Sequence, residues 1–191
     1  SARAPSARSR HRVRAVDDYP SCNFFVRTEA LQALHGFRTD FWPGEDTYLC
    51  MELTHRLGGR IMYEPRALVY HHRRALFRPH LRQISRYALH RGYFARRFPA
   101  TSRRLSYMLP TLFLLGAIGG GALAALLPWL RWPYGLALAL YALLTLASCI
   151  KWNLGEWLVS WVGVVLTHLT YGLYFLAGLC AWRMPGEVRE F

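Results

Sequence analysis

An acidic pair, Glu45-Asp46, follows Pro43-Gly44 in a chain that is otherwise strongly basic. The 191 residues include 24 lysines and arginines but only 11 acidic residues, which gives a net charge of +13. Because Pro43 and Gly44 interrupt both helix and strand, the pair lies where a loop enters a helix. A carboxylate fixed there can act as a general base toward a hydroxyl nucleophile. The alternative is structural, with Asp46 as the helix N-cap and Glu45 as a first-turn acid favoured by the helix dipole.

A second group of polar side chains lies further along the chain. Gln83, Arg86 and Tyr87 stand at i, i+3 and i+4, so they share one face of a helix. Arginine offers phosphate oxygens a planar fork of donors, and an adjacent aromatic ring can stack on a sugar. The spacing therefore favours a binding site for a sugar diphosphate. A solvated amphipathic helix would show the same spacing, and both interpretations stay open.

The basic segment His71-His72-Arg73-Arg74 follows a predicted strand directly. Arg73 and Arg74 are candidates for binding phosphate or lipid headgroups. His72 is a candidate metal ligand because histidine at the end of a strand can coordinate a metal. No acidic partner lies near it in the sequence, so the metal hypothesis depends on the histidine alone.

Short helix and strand signals alternate before the apolar part of the chain. Ranges 21–26, 61–63 and 67–71 are apolar enough for strands, while helices are expected from Thr28, Asp46 and Pro79. This alternation predicts an α/β fold for the polar half. The expected organisation is a flexible Arg/Ser/Ala-rich segment (1–16), an α/β domain (17–78), an amphipathic interfacial helix (79–104), an all-α transmembrane region (105–183) and a tail (184–191).

Three apolar stretches, 107–130, 134–150 and 157–182, follow the polar half. Each approaches the length needed to cross a hydrocarbon core of about 30 Å, so three transmembrane helices are predicted. Twelve arginines lie between Arg60 and Arg104, and the positive-inside rule places that side in the cytosol. An odd number of crossings then places the tail from Arg183 on the external side.

Anionic lipid is the simplest binding partner for the high positive charge of the chain. A basic cluster beside a membrane span attracts anionic lipid headgroups. Nucleic acid is not expected, because 23 of the 24 basic residues are arginine, which can reflect genomic base composition. Membrane lipids are therefore the predicted partner of this cluster.

Five segments occur in an order that resembles the C-terminal half of a family 2 glycosyltransferase. They are Ser21-Cys22-Asn23-Phe24-Phe25-Val26-Arg27, His35-Gly36-Phe37, Trp42-Pro43-Gly44-Glu45-Asp46-Thr47, Tyr63-Glu64-Pro65 and Val69-Tyr70-His71-His72-Arg73-Arg74. Gln83-x-x-Arg86-Tyr87 is similar to the QxxRW element of that family, with tyrosine in place of tryptophan. The apolar stretches look like those of membrane-anchored members that build surface polysaccharide.

The resemblance implies a GT-A fold and an inverting, hexosyltransferase-like activity. The donor would be a nucleotide sugar and the acceptor a lipid-linked or polysaccharide chain, at the cytosolic face of the bacterial inner (plasma) membrane. Asp46 would be the catalytic base, and Glu45 would position it or the acceptor. Gln83, Arg86 and Tyr87 would line the donor diphosphate and the acceptor channel, and a divalent cation, Mg or Mn, would assist.

The chain departs from the family pattern in its acidic motifs. No Asp-x-Asp metal motif occurs, and the adjacent aspartates Asp17-Asp18 precede the Ser21-Cys22-Asn23 segment instead. The expectation is therefore a chain that lacks the nucleotide-binding half of the enzyme. The alternative function is a non-catalytic membrane anchor or scaffold subunit of a polysaccharide assembly.

This interpretation predicts that the isolated 191-residue chain has no transferase activity. A diphosphate leaving group normally requires a bound metal ion and a nucleotide site, and the chain offers neither motif. The measurement is turnover of a panel of nucleotide sugars by the purified chain in detergent. Turnover of any donor above the protein-free rate would contradict the prediction.

Overall fold

The computed structural model describes residues 12–70 and 74–184, and most of them are helical. The elements are β1 (Arg14–Val16), α1 (Thr28–Ala33), α2 (Glu45–Met51), β2 (Ile61–Tyr63), α3 (Arg78–Arg97), α4 (Pro99–Ser102), α5 (Leu105–Leu126), α6 (Arg131–Ser148) and α7 (Leu154–Cys180). Three short 3-10 turns, Ser21–Asn23, Thr39–Phe41 and Pro128–Leu130, connect them, and a π-helical turn, Glu52–Arg56, continues α2.

The predicted α/β fold is wrong, because the described residues form only one two-stranded sheet. Strands β1 and β2 pair antiparallel, with Arg14 opposite Tyr63 and Val16 opposite Ile61. No α/β GT-A domain is present in this part of the chain. The strand β1 falls at the end of range 1–16, for which a flexible segment is expected.

Two of the three expected strands fail for lack of a hydrogen-bonding partner. Range 21–26 begins as a 3-10 turn, and range 67–70 is irregular, while residue 71 lies outside the described residues. The two segments are joined by a single side-chain bond from Asn23 Nδ2 to the Ala67 carbonyl at 2.8 Å. Phe25 and Tyr70 are 87% and 93% exposed. A strand is stable only within a ladder, so apolar composition alone did not produce one here.

Helix α2 confirms the predicted helix after the acidic pair, but its last turn differs. Leu49 and Leu53 are buried on one face as their spacing predicts, and Leu57 is 42% exposed. The π-helical turn Glu52–Arg56 explains the difference. A wider turn rotates the following residue away from the i+4 position, so Leu57 leaves the buried face.

The closest helix contact in the fold joins α3 to α7 through two glycines. A Cβ atom added to Gly92 would overlap the Phe175 carbonyl oxygen, and one added to Gly178 would overlap the Leu89 carbonyl oxygen. The backbones of α3 and α7 are therefore in direct contact at both glycines. Around this point Ala88, Ala95 and Phe175 form a buried cluster. The helix predicted from Pro79 is confirmed at Arg78–Arg97, and half of it is packed rather than free.

Three helices are long and apolar enough to cross a membrane: α5, α6 with its preceding turn, and α7. The expectation of three long apolar helices is confirmed, and the protein associates with membranes. Helices α5 and α6 form a hairpin, in which Tyr134 Oη donates to the Ala117 carbonyl at 2.8 Å. Helix α5 also contacts α7, where Thr111 Oγ1 donates to the Gly172 carbonyl at 3.1 Å.

Replacing either interface glycine should destabilise the protein. Gly92→Ala and Gly178→Ala force backbone atoms apart, and overpacking of this kind costs about 1–3 kcal/mol. For a chain of this size each kcal/mol lowers Tm by roughly 2–4 °C. The measurement is thermal unfolding in detergent. Gly116→Ala is the matched control, because a Cβ there meets no atom within 4 Å and should leave Tm unchanged or slightly raised.

Candidate functional site

A cavity of about 140 Å³ brings the predicted site residues together. Its lining residues are Ser21, Trp42, Pro43, Glu45, Asp46, Arg74, Gln83, Arg86 and Tyr87. Six of these are residues that the sequence singles out, from three segments far apart in the chain. Two further candidates, His72 and Arg73, lie outside the described residues.

Asp46 is held by backbone donors on both of its carboxylate oxygens. The Thr47 N–H donates to Oδ1 at 2.7 Å, and the Ser21 N–H donates to Oδ2 at 3.3 Å. The N-cap of α2 is Gly44, so the alternative in which Asp46 caps the helix is wrong. Both acids lie in the first helical turn. The carboxylate is therefore fixed in place while it faces the cavity.

Glu45 differs from its neighbour in its surroundings. Burial raises the pKa of Glu45; a backbone hydrogen bond opposes the shift in part, and the Asp46 charge adds to it. Its Oε2 atom is buried and accepts no hydrogen bond from the described residues. A carboxylate in such an environment retains a proton closer to neutral pH than a free one does.

The cationic side of the cavity comes from α3 and the segment before it. Arg86 places its guanidinium carbon 5.1 Å from the centre of the Trp42 ring, a cation–π distance. Gln83 and Tyr87 lie beside it on the same face of α3, and Arg74 approaches from the preceding segment. The predicted i, i+3, i+4 face is thus the one that meets the carboxylates.

Trp42 is a site residue that sequence reasoning missed. Its side chain is 54% exposed and belongs to the loop before the acidic pair. The sequence predicts Tyr87 as the aromatic platform, and Tyr87 is 40% exposed in the same cavity. A large exposed aromatic residue three positions before Glu45 was the available signal. The cavity therefore has two rings on which a sugar can stack.

A second cavity of about 280 Å³ adjoins the first, and Pro43, Asp46 and Tyr87 line both. Its other lining residues are Asp18, Pro20, Gly44, Thr47, His90, Arg91, Phe94 and Tyr107. Asp46 therefore stands between two compartments. One contains Arg74 and Arg86, and the other contains the Asp18–Arg91 ion pair.

The Asp18 carboxylate joins three segments beneath Asp46. Arg91 Nη2 donates to Asp18 Oδ2 at 2.5 Å, and Thr47 Oγ1 donates to Asp18 Oδ1 at 3.1 Å. Arg91 also donates to Ser102 Oγ at 3.3 Å. Burial disfavours the Arg91 charge, but the charge and hydrogen bond of Asp18, together with Tyr107 and Tyr171, outweigh it and raise the pKa of Arg91. Arg91 stands four residues after Tyr87, so the helical face extends one turn beyond the predicted set.

The described residues hold no group of three or more His, Cys, Asp or Glu side chains that could bind a metal ion. Glu45 and Asp46 face Arg74 and Arg86 across the cavity, and these are cations. The described residues therefore form no complete site for the Mg or Mn ion that the resemblance implies.

A larger cavity of about 690 Å³ lies elsewhere, among Phe24, Val26, Leu53 and Met62. None of the candidate site residues lines it. Its walls are mainly apolar side chains and it is open to solvent. Size alone does not identify the site, and the convergence of titratable and cationic groups favours the smaller cavity.

Comparison with known proteins gives no matching family model, no matching curated protein and no matching solved structure. The candidate site therefore stands on its own residues and their geometry.

Lowering the pH should destabilise the protein through His90. Burial lowers the pKa of His90 from its ordinary 6.5, although the carbonyl groups of Arg86 and Trp42 oppose this shift. The unfolded chain then binds more protons, so stability is lost as the pH falls through 6.5 toward the folded pKa. The measurement is Tm against pH.

His90→Asn should flatten that dependence, because it removes the titratable ring. The asparagine amide can still donate to the Arg86 carbonyl, which lies 3.0 Å from His90 Nδ1, so the local hydrogen bond is retained. His35→Asn is the matched control. His35 is exposed and has a positive φ of 58°, which asparagine tolerates. A His90→Asn profile as steep as that of the wild type would contradict the assignment.

Proposed function

We propose that this chain carries the acceptor-side part of the active site of an inverting, family 2 type glycosyltransferase. It transfers a sugar from a nucleotide-sugar donor to a lipid-linked or polysaccharide acceptor in cell-surface glycan synthesis. The reaction takes place at the cytosolic face of a bacterial plasma membrane. The observation that carries the proposal is the cavity that unites Glu45 and Asp46 with Gln83, Arg86 and Tyr87.

Asp46 is the general base in this proposal. Its carboxylate takes the proton of the acceptor hydroxyl as the hydroxyl oxygen attacks the anomeric carbon of the donor sugar. The bond from that carbon to the nucleoside diphosphate breaks in the same displacement, and the configuration inverts. The backbone N–H groups of Ser21 and Thr47 keep the carboxylate in position. Positioning of this kind is a large part of catalysis in a single-displacement reaction.

The leaving diphosphate requires positive charge, and the cavity supplies it. Arg86 is held under the Trp42 ring, and Arg74 lines the opposite wall. Guanidinium groups stabilise the charge that develops on the diphosphate oxygens. Gln83 adds an amide donor from the same helix face.

The sugar and the acceptor have plausible contacts in the same place. Trp42 and Tyr87 offer exposed rings for stacking. Glu45, whose pKa is raised by burial, lines the same cavity and can contact an acceptor oxygen. The apolar helices that follow the site bring a lipid-linked acceptor close to it. These features support a membrane-bound substrate rather than a soluble one.

Asp46→Asn should lower kcat by about 10²–10⁴-fold in the intact protein in membranes, since that is the usual contribution of a general base. Donor binding should change little, because the amide oxygen still accepts from one of the two backbone donors and the cavity cations are unchanged. The measurement is sugar incorporation with a panel of nucleotide sugars, together with donor affinity. Glu29→Gln, which neutralises an exposed acid on α1, is the control and should keep the wild-type rate.

Unchanged turnover in Asp46→Asn would remove this residue from the base role. A scaffold or anchor would behave differently from either case. It would show no turnover in the full-length wild-type protein, yet deletion of the chain would still abolish glycan assembly. The two functions are therefore distinguished by the wild-type assay before any variant is compared.

A further inference from the structure

The segment that follows α7 packs against the loop that carries the acidic pair. Met184 is 4% exposed and packs in a buried cluster with Phe41, Tyr93 and Phe94. Gly44 lies against the Phe94 ring, and an added Cβ there would be 3.2 Å from it. The residue that follows the last apolar helix thus lies directly beneath the loop of the acidic pair.

Helix α3 runs beside α7 in the same direction over most of the length of α7. Contacts pair Leu76 with Gly163, His80 with Thr167, Leu89 with Gly178 and Arg96 with Ala181. Helix α3 carries six arginines, at positions 78, 82, 86, 91, 96 and 97. A helix with this charge does not enter the hydrocarbon core. Residues 163–181 therefore lie at the depth of α3, near the surface of that core.

The part of α7 that remains is too short to cross a membrane. Residues 154–162 extend about 13 Å at 1.5 Å per residue, while the hydrocarbon core is about 30 Å thick. Length and composition make α7 a candidate span, with a mean hydropathy of 1.5 in its most apolar window. Its packing against α3 is the stronger constraint, because it fixes the depth of two thirds of the helix.

The contacts of α7 with the α5–α6 hairpin are at the end of the hairpin nearest α3. Thr111, in the first half of α5, donates to the Gly172 carbonyl. In the last half of α6, Tyr141 Oη lies 2.9 Å from His168 Nδ1, and the Leu146 carbonyl accepts from Trp157 Nε1 at 2.7 Å. A helix that crossed beside the hairpin would contact both of its ends. Helix α7 lies across its base.

The remaining surface of α7 is apolar and exposed. Leu158, Val162 and Leu173 are 40–56% exposed. Val162 and Leu173 stand eleven residues apart, about three helical turns, so they share a face. Trp152 and Trp182 are exposed at the two ends of the helix. Tryptophan prefers the membrane–water interface, and here both ends of one helix carry one.

We infer that α7 lies along the membrane surface and that only the α5–α6 hairpin crosses the membrane. The occupant of the exposed face of α7 is the lipid bilayer, which the hairpin has already entered. The two crossings place Met184 on the same side as α3 and the candidate site. The inference differs here from the expectation of three crossings, which places the tail on the external side. The inference does not depend on the proposed transferase activity.

The distribution of charge agrees with two crossings. With α7 on the surface, Lys151 and Arg183 join the arginines of the polar half on one side of the membrane. Arg131, at the tip of the hairpin, is the basic residue on the other side. The positive-inside rule is thereby satisfied better than with three crossings, which place Arg183 outside.

Reporter fusions in living bacteria test the number of crossings. Green fluorescent protein fluoresces only in the cytosol, and alkaline phosphatase is active only outside it. With two crossings, a C-terminal fusion to the intact protein should be fluorescent and its phosphatase counterpart inactive. Insertion of each reporter after Leu127, at the tip of the hairpin, should give the opposite result. Phosphatase activity at the C-terminus would overturn the inference.

A matched cysteine pair provides a second test without a large fusion. Trp132→Cys and Trp182→Cys replace two tryptophans that are 88% and 84% exposed, in a background of Cys22→Ser and Cys180→Ser. A membrane-impermeant maleimide should label position 132 in intact cells. Position 182 should be labelled only after permeabilisation. Equal labelling of the two positions in intact cells would overturn the inference.

Discussion

The backbone contact between α3 and α7 at Gly92 and Gly178 is the constraint on which the rest of the structure depends. Two helices of opposite character, one rich in arginine and one apolar, can approach this closely only where neither has a side chain. The contact brings van der Waals packing that neither helix finds alone. It also sets the position of the α3 face that carries Gln83, Arg86 and Tyr87. Every described feature of the candidate site is built on that face or against it.

The charged side chains beneath the candidate site form an ion pair, whereas the cations that line the cavity remain accessible to a ligand. The Asp18–Arg91 pair is largely buried, with side-chain exposures of 13% and 22%. Such a pair adds little net stability, because desolvation offsets most of its attraction. Its value here is geometric, since Asp18 also accepts a hydrogen bond from Thr47 and so connects the N-terminal segment to α2 and α3. The cavity cations are freer, and this suits them to an anionic ligand.

The sequence revealed the helical spacing and the long apolar stretches, but not which segments pack against one another in the fold. Apolar length predicted the three long helices, and the i, i+3, i+4 spacing predicted the face of α3 that meets the acidic pair. The strands at 21–26 and 67–71 were predicted wrongly because strand formation requires a partner that no local pattern reveals. Trp42, Asp18 and Arg91 were missed for the same reason, as their roles arise from contacts across the fold.

Phe41, Phe94 and Phe98 lie between the acidic loop and the end of α7, with their rings edge to face and ring centres 5.2–5.6 Å apart. Rings packed edge to face in this way leave little room for compression. With α7 on the membrane surface, as inferred above, the height of the acidic pair above the bilayer would be set by the thickness of this aromatic layer. An acceptor tethered to lipid would be selected by reach, since only a hydroxyl at that height meets the carboxylate. The cluster would then act as a molecular ruler for the spacer between lipid and sugar.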